Sequence, residues 1–311
     1  MSRLSVFLLM CTSIYSADLK IGIIGTDTSH VPAFTKMLND ATAKDHISGV
    51  RVVAAYKGGS QDIPESRDRV EKFAAEIQSK YGVEIVPDIE TLCKKVDAVL
   101  IESVDGRTHL AQAKPVIAAH KPFFVDKPLA ATLEDAREIA KLAKAAGVPW
   151  FSSSSLRYGQ IATTMKFEDA NGAITWGPGP LGTHHQLDLS WYAIHPIELL
   201  FALLGTGVEE VTRITSADAD EVTGRWKNGK LGTVRAVRPY SDYGAIVFRP
   251  KLVLRSPDKA AAGYAPLVEQ IVKFFQTGKP PVSNEETLEI FAFMDAAQRS
   301  KAASGQPMRL R

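Results

Sequence analysis

The chain has 311 residues, 45% of them hydrophobic and 23% charged, with a formal net charge of +2. That length fits about two domains and easily buries a core. The near-neutral balance, with no basic run interleaved with aromatics, excludes a nucleic-acid partner and a polybasic membrane patch. At the start, Arg3 supplies a short positive region, and Leu4 to Tyr15 is apolar but too short to span a bilayer. With Ser16 as the small residue before the cut, residues 1–16 read as an export signal and the mature chain begins near Ala17. Met10 is too large to make Cys11 a lipidation site. Cleavage leaves Cys93 alone, so no intrachain disulfide is possible. The expected product is an exported protein, periplasmic or secreted, with no membrane attachment.

Strand and helix signals then alternate. Apolar strands are read at Leu19 to Gly25, Val50 to Tyr56, Asp97 to Glu102, Pro122 to Asp126 and Val148 to Ser152. Helices are read at Ser29 to Leu38, Arg67 to Tyr81, His109 to Ala119 and Leu133 to Ala146. Strands separated by helices make a parallel, doubly wound sheet, so residues 17–155 form an α/β domain of the nucleotide-binding (Rossmann) type. Its phosphate fingerprint is damaged. G-x-G-x-x-G is wanted after the first strand, and the chain reads Gly25-Thr26-Asp27-Thr28-Ser29-His30. Thr26, Thr28 and Ser29 still offer hydroxyls, and a helix N-terminus still offers amides. The second strand ends in Lys57 rather than an acid, and Lys57 with Ser60 would suit a 2′-phosphate. NAD and NADP both stay open.

Lys127 follows the fourth of these buried strands and precedes Pro128, which cannot continue a central strand. The lysine is thereby left at the sheet edge where α/β proteins bind ligands, placed to exchange a proton with a substrate hydroxyl.

The segments VDAVLIESVDGRTHLAQAKPVIAAHKPFFVDKPLA, LRYG and WYAIHPIELLFALLG, in that order, resemble the glucose–fructose oxidoreductase, inositol dehydrogenase and rhizopine-catabolism (Gfo/Idh/MocA) family. The resemblance runs over nearly the whole mature chain. It implies a Rossmann domain followed by a second α/β domain, residues 156–311, on a large, mostly antiparallel sheet. It also implies hydride transfer at a sugar or polyol carbon with NAD or NADP. Asp126-Lys127-Pro128 matches the family's E-K-P, which gives Lys127 the proton-transfer role and sets Asp126 beside the cofactor. His109 matches a histidine beside the nicotinamide, Arg157 an arginine just past the Rossmann half, and His195 the second catalytic group.

The chain also departs from the family. Trp191 stands where an aspartate is usual and Ala193 where a glycine is, so the usual Lys–Asp–His relay is incomplete. Trp191 and Tyr192 can instead form a stacking wall for the C–H face of a sugar, with Arg157 as a further substrate contact. His184, His185, Asp188, His195 and Glu198 contain imidazoles and carboxylates, but their spacing fits no metal motif, and no metal is expected. In the second half Val, Ile and Thr alternate with polar residues, and Lys227-Asn228-Gly229-Lys230 marks a hairpin. In this resemblance the spare face of the sheet makes a homo-oligomer contact.

The expectation is therefore a nicotinamide-dependent oxidoreductase acting on a secondary hydroxyl of a sugar, polyol or glycoside. Free NAD is scarce outside the cytoplasm. The rival is an exported carbohydrate-binding protein that kept the fold and lost turnover.

Overall fold

The structure, a computed structural model, describes residues 18–311. The export signal read at residues 1–16 lies outside them. Among the described residues no helix is long and apolar enough to cross a membrane.

The first half alternates as the sequence predicts. It runs β1 (Leu19–Ile24), α1 (His30–Asn39), β2 (Val50–Tyr56), α2 (Pro64–Arg67), α3 (Val70–Tyr81), β3 (Glu84–Val86) and α4 (Ile89–Lys95). It continues with β4 (Ala98–Ile101), α5 (His109–Ala118), β5 (Phe123–Val125), α6 (Leu133–Ala146) and β6 (Trp150–Ser152). The six strands form one parallel sheet in the order β3-β2-β1-β4-β5-β6. Helices cover both faces, which is why β4 and β5 are buried at every position. Local chemistry sets the helix ends. Thr132 accepts from Asp135 N at the start of α6, and Gly147 at φ 67° ends it. The helix read over Arg67 to Tyr81 is broken into α2 and α3 at Asp68 and Arg69.

The second half begins with α7 (Gln160–Met165) and β7 (Gly172–Pro178), then α8 (Ile194–Leu204) and β8 (Val208–Thr215). There follow β9 (Ala219–Trp226), β10 (Leu231–Val237), β11 (Gly244–Arg249), β12 (Leu252–Arg255), α9 (Ala265–Thr277), α10 (Asn284–Ala302) and β13 (Met308–Arg309). Its strands form a seven-stranded sheet in the order β12-β11-β7-β10-β9-β8-β13. Only the β7–β10 pairing is parallel. The predicted hairpin joins β9 to β10, with Gly229 at φ 83°. The fold is thus α/β, a Rossmann sheet followed by a mostly antiparallel one.

The two halves share core. Leu267, Val268 and Ile271 of α9 pack with Ile21, Phe34 and Phe151 of the Rossmann half. Helix α8 is buried at nearly every position, because it lies between the second sheet and the first domain. Its first turn is therefore held rigidly against the carboxyl edge of the parallel sheet, where the cavity opens.

Candidate functional site

In an open parallel sheet the carboxyl ends of the strands share one edge, and ligands bind in the crevice beyond it. A cavity of about 590 Å³ opens there, a volume normal for a small-molecule site. The start of α1 gives it Thr28, Ser29 and His30, the turn after β5 gives Lys127, and the second half gives Trp191, Tyr192 and His195. Tyr243, Tyr264, Arg69 and Glu65 are also among its lining residues. The Lys127–Pro128 peptide is cis.

Lys127 is partly buried in this wall, its ammonium paired with no carboxylate among the described residues. His195 stands in the first turn of α8 with Nδ1 2.7 Å from Ser154 Oγ, and that hydroxyl accepts from Leu156 N at 3.2 Å. The Tyr192 and Tyr243 rings meet the imidazole edge-on at 5.9 Å each. Burial, and after it the nearby Lys127 charge, hold the His195 pKa well below the usual imidazole range. His195 is a neutral ring facing a cation's field.

One helical turn on, Glu198 points inward. It accepts from Ser153 Oγ at 2.6 Å, Ser154 N at 2.7 Å and Arg157 Nε at 2.8 Å. The carboxylate thus fixes the loop that presents Ser154 to His195. Arg157 also pairs with Glu286 at 2.6 Å and is nearly enclosed. This corrects the substrate-contact reading of Arg157, whose guanidinium is spent on two internal carboxylates and does not line the cavity.

The phosphate loop holds a second set of corrections. Gly25, at φ 87°, lets the chain pass Ser103, since a Cβ there would lie 2.3 Å from Ser103 Oγ. Thr26 turns inward, donating to Val70 O at 2.8 Å. Asp27 also turns away from the cavity, accepting from Ser66 Oγ at 2.6 Å and Val104 N at 3.2 Å. Burial raises its pKa. Of the loop residues predicted from sequence, Thr28 and Ser29 alone reach the cavity. Neither Lys57 nor Ser60 does. Lys57 pairs with Glu71 at 2.8 Å, and Ser60 donates to Asp105 at 2.5 Å.

His109 is wholly buried, with Nε2 2.8 Å from Ser103 O and Nδ1 3.2 Å from Leu129 O. It ties two loops together, and its side chain does not line the cavity. Burial lowers its pKa.

The residues present still fit a dinucleotide's phosphates. Ser29 makes no side-chain cap bond to α1 and its hydroxyl faces Tyr264, so the helix N-terminus remains on offer beside the Arg69 and Lys127 cations, with Glu65 in the same wall. With Lys57 held by Glu71, a 2′-phosphate would approach a carboxylate. NADP is therefore expected to bind no more tightly than NAD, and Lys57→Asp, which sets a second carboxylate beside Glu71, to weaken NADP further relative to NAD. Titrating both cofactors into wild type and variant checks this, and a wild-type preference for NADP that the variant loses would contradict it.

The five potential ligand residues noted in sequence are dispersed. His185 faces Asp105 at 3.3 Å, Asp188 pairs with Arg213 at 2.7 Å and with Lys301 at 2.7 Å, and His184 lies 3.7 Å from Asp62. A different group gathers below the cavity. His30 Nδ1 is 2.8 Å from Asp126 Oδ2 and 4.0 Å from Glu102 Oε2, all three buried. Burial and then the Asp126 charge push the Glu102 pKa well up. Burial opposes ionisation of Asp126 too, but His30 and Lys127 hold its pKa low. His30 and Glu102 were not foreseen as a site. Both were visible, one in the position of the last fingerprint glycine and the other as an acid closing an apolar strand. Tyr243 and Tyr264 come from loops and left no such signal.

Comparison with known proteins gives three findings. Residues 19–153 match the family described as "Oxidoreductase family, NAD-binding Rossmann fold". The chain is 34% identical over 131 residues to inositol 2-dehydrogenase of Paracoccus denitrificans, covering 42% of this chain and 34% of that one. It is 35% identical over 132 residues to the Cereibacter sphaeroides enzyme of the same name, with the same coverage. The match spans about a third of the length of these curated relatives. Among solved structures, myo-inositol dehydrogenase from Lactobacillus casei, in complex with NAD(H) and myo-inositol, superposes with a TM-score of 0.72 at 19% identity. That alignment covers 94% of this chain and 97% of the other. GenD2 from gentamicin A biosynthesis, in complex with NAD, gives 0.76 at 15% identity over 98% and 100%. The two structural likenesses carry the fold.

Proposed function

We propose that this chain, whose NAD-binding Rossmann half belongs to the Gfo/Idh/MocA oxidoreductase family, transfers a hydride at a secondary hydroxyl carbon of a polyol, sugar or glycoside. The observation that carries the reading is the meeting of Lys127 and His195, one from each half, in a single cavity with the start of α1. The inositol 2-dehydrogenase relatives support a cyclic polyol as the substrate class.

A bound nicotinamide dinucleotide supplies the hydride acceptor or donor. The chain supplies position and proton handling. Arg69 and the start of α1 hold phosphate charge. In the reducing direction the Lys127 ammonium stabilises the alkoxide-like charge on the reacting oxygen and gives it a proton; in the oxidising direction the neutral amine takes the hydroxyl proton and becomes that ammonium. Ser154 Oγ accepts from Leu156 N and has its own proton to give to His195 Nδ1. The other ring nitrogen then carries hydrogen and donates to the same oxygen. Trp191, Tyr192 and Tyr243 give the C–H face of the substrate an apolar wall.

Export is part of the proposal, supported by Arg3 and the apolar run Leu4 to Tyr15. So is homo-oligomerisation, which rests on the resemblance of the second, mostly antiparallel sheet to that of the family. A protein working outside the cytoplasm is expected to retain its cofactor through purification. Denaturing the purified mature chain and weighing what is released tests this. Stoichiometric NAD is the expected result. A dinucleotide-free protein that also fails to bind added NAD would overturn the reading.

A further inference from the structure

We propose that His30, Glu102 and Asp126 form a binding site for one divalent transition-metal ion beneath the cavity floor. The site goes beyond hydride transfer and does not depend on it. Its three side chains come from three elements that converge at the carboxyl edge of the sheet: the first turn of α1, the residue after β4 and the residue after β5. One ligand atom from each lies within 4.8 Å of the others. An ion at their centre needs only small rotamer shifts to reach the 2.0–2.2 Å typical of imidazole and carboxylate bonds.

The independent sign of a ligand is the state of the carboxyl oxygens. Glu102 is fully buried, and neither Oε1 nor Oε2 has a hydrogen-bond partner among the described residues. Asp126 Oδ1 is likewise buried without one. A buried polar atom with no partner is costly. Protonating Glu102 removes its charge and supplies one donor, which can satisfy at most one of the three orphaned oxygens besides its own. A cation satisfies the orphaned oxygens together and uses the His30 nitrogen as well.

The donor set defines the ion. One imidazole and two carboxylates suit zinc, manganese or ferrous iron, whereas magnesium and calcium prefer oxygen alone. His30 lines the cavity, so the ion is reached from the ligand side. Lys127, the next residue after Asp126, opposes the ion by its charge, but its ammonium pairs with none of the three among the described residues.

The test uses the full mature chain, stripped with chelator and confirmed folded by circular dichroism. Calorimetric titration with Zn²⁺ and with Mn²⁺ is expected to show one equivalent bound, with Mg²⁺ failing to compete at equal concentration. Glu102→Gln keeps the volume of the side chain, and His30→Ala removes the imidazole. Each is expected to weaken binding by at least about tenfold, since even changes to groups outside the ligand set cost that much. X-ray absorption on the zinc-loaded wild type gives a reading that needs no variant, with one imidazole and otherwise oxygen donors expected. The proposal is overturned by no bound equivalent at millimolar metal, by affinity unchanged in both variants, or by sulfur or several imidazoles around the zinc. None of these readouts depends on turnover, so failure of the metal site and failure of the hydride-transfer reading remain distinguishable.

Discussion

Lys127→Ala is expected to lower turnover by about two to four orders of magnitude, the usual scale for losing a general acid–base group. The side chain stands at the sheet edge without a carboxylate partner, faces the same cavity as His195, and contributes to the field that keeps that imidazole neutral. His195→Ala is expected to lose a similar factor. The double variant is expected to lose less than the product of the two, because groups that act on one oxygen as a unit are not additive. Retention of NAD is expected to change little in His195→Ala, since that residue comes from the second half and faces substrate. Thermal melts must first show each variant folded. Full turnover in Lys127→Ala, on a substrate that the wild type converts, would end the proposed mechanism.

Arg213→Met is expected to destabilise the fold by about 3 kcal/mol, the lower end for breaking a buried ion pair. The guanidinium is fully enclosed between Asp188 and Asp220, at 2.7 Å from each. Methionine fills much of the volume but leaves two carboxylates short of a counter-charge. Lys301 still reaches Asp188 at 2.7 Å and Arg238 still reaches Asp220 at 2.5 Å, which is why the lower end is expected. Equilibrium urea unfolding measures the loss, and a change below 1 kcal/mol would show that the network is not held by its central arginine. Asp188 belongs to the turn leading to Trp191, so the same network steadies one wall of the cavity.

The Rossmann half was legible because its signals are local and redundant. Buried strands such as Ala98–Ile101 carry no polar residue, and the amphipathic helices between them end in glycines such as Gly147. Lys127 was legible for the same reason, as a charge set at the end of an apolar strand and followed by proline. Side-chain direction was not. Arg157 and His109 stand in register with the family, yet one is consumed by Glu198 and Glu286 and the other by two backbone carbonyls. Lys57 stood where a strand meets a cofactor, and here it pairs with Glu71, fourteen residues on. Partners distant in sequence settle such cases, and a motif does not display them. His30 illustrates the converse. Read only as a lost glycine, it proved to be a gained side chain with two buried carboxylates beside it.

The most direct test of hydride transfer is isotopic. The purified protein is incubated with NAD and myo-inositol carrying deuterium on its ring carbons, and the reduced cofactor is weighed. The account predicts one deuterium in the cofactor, formed by the wild type and reduced by two or more orders of magnitude in Lys127→Ala. Binding of several polyols and sugars with no label in the cofactor from any of them would contradict it, and would assign the chain to carbohydrate binding without turnover.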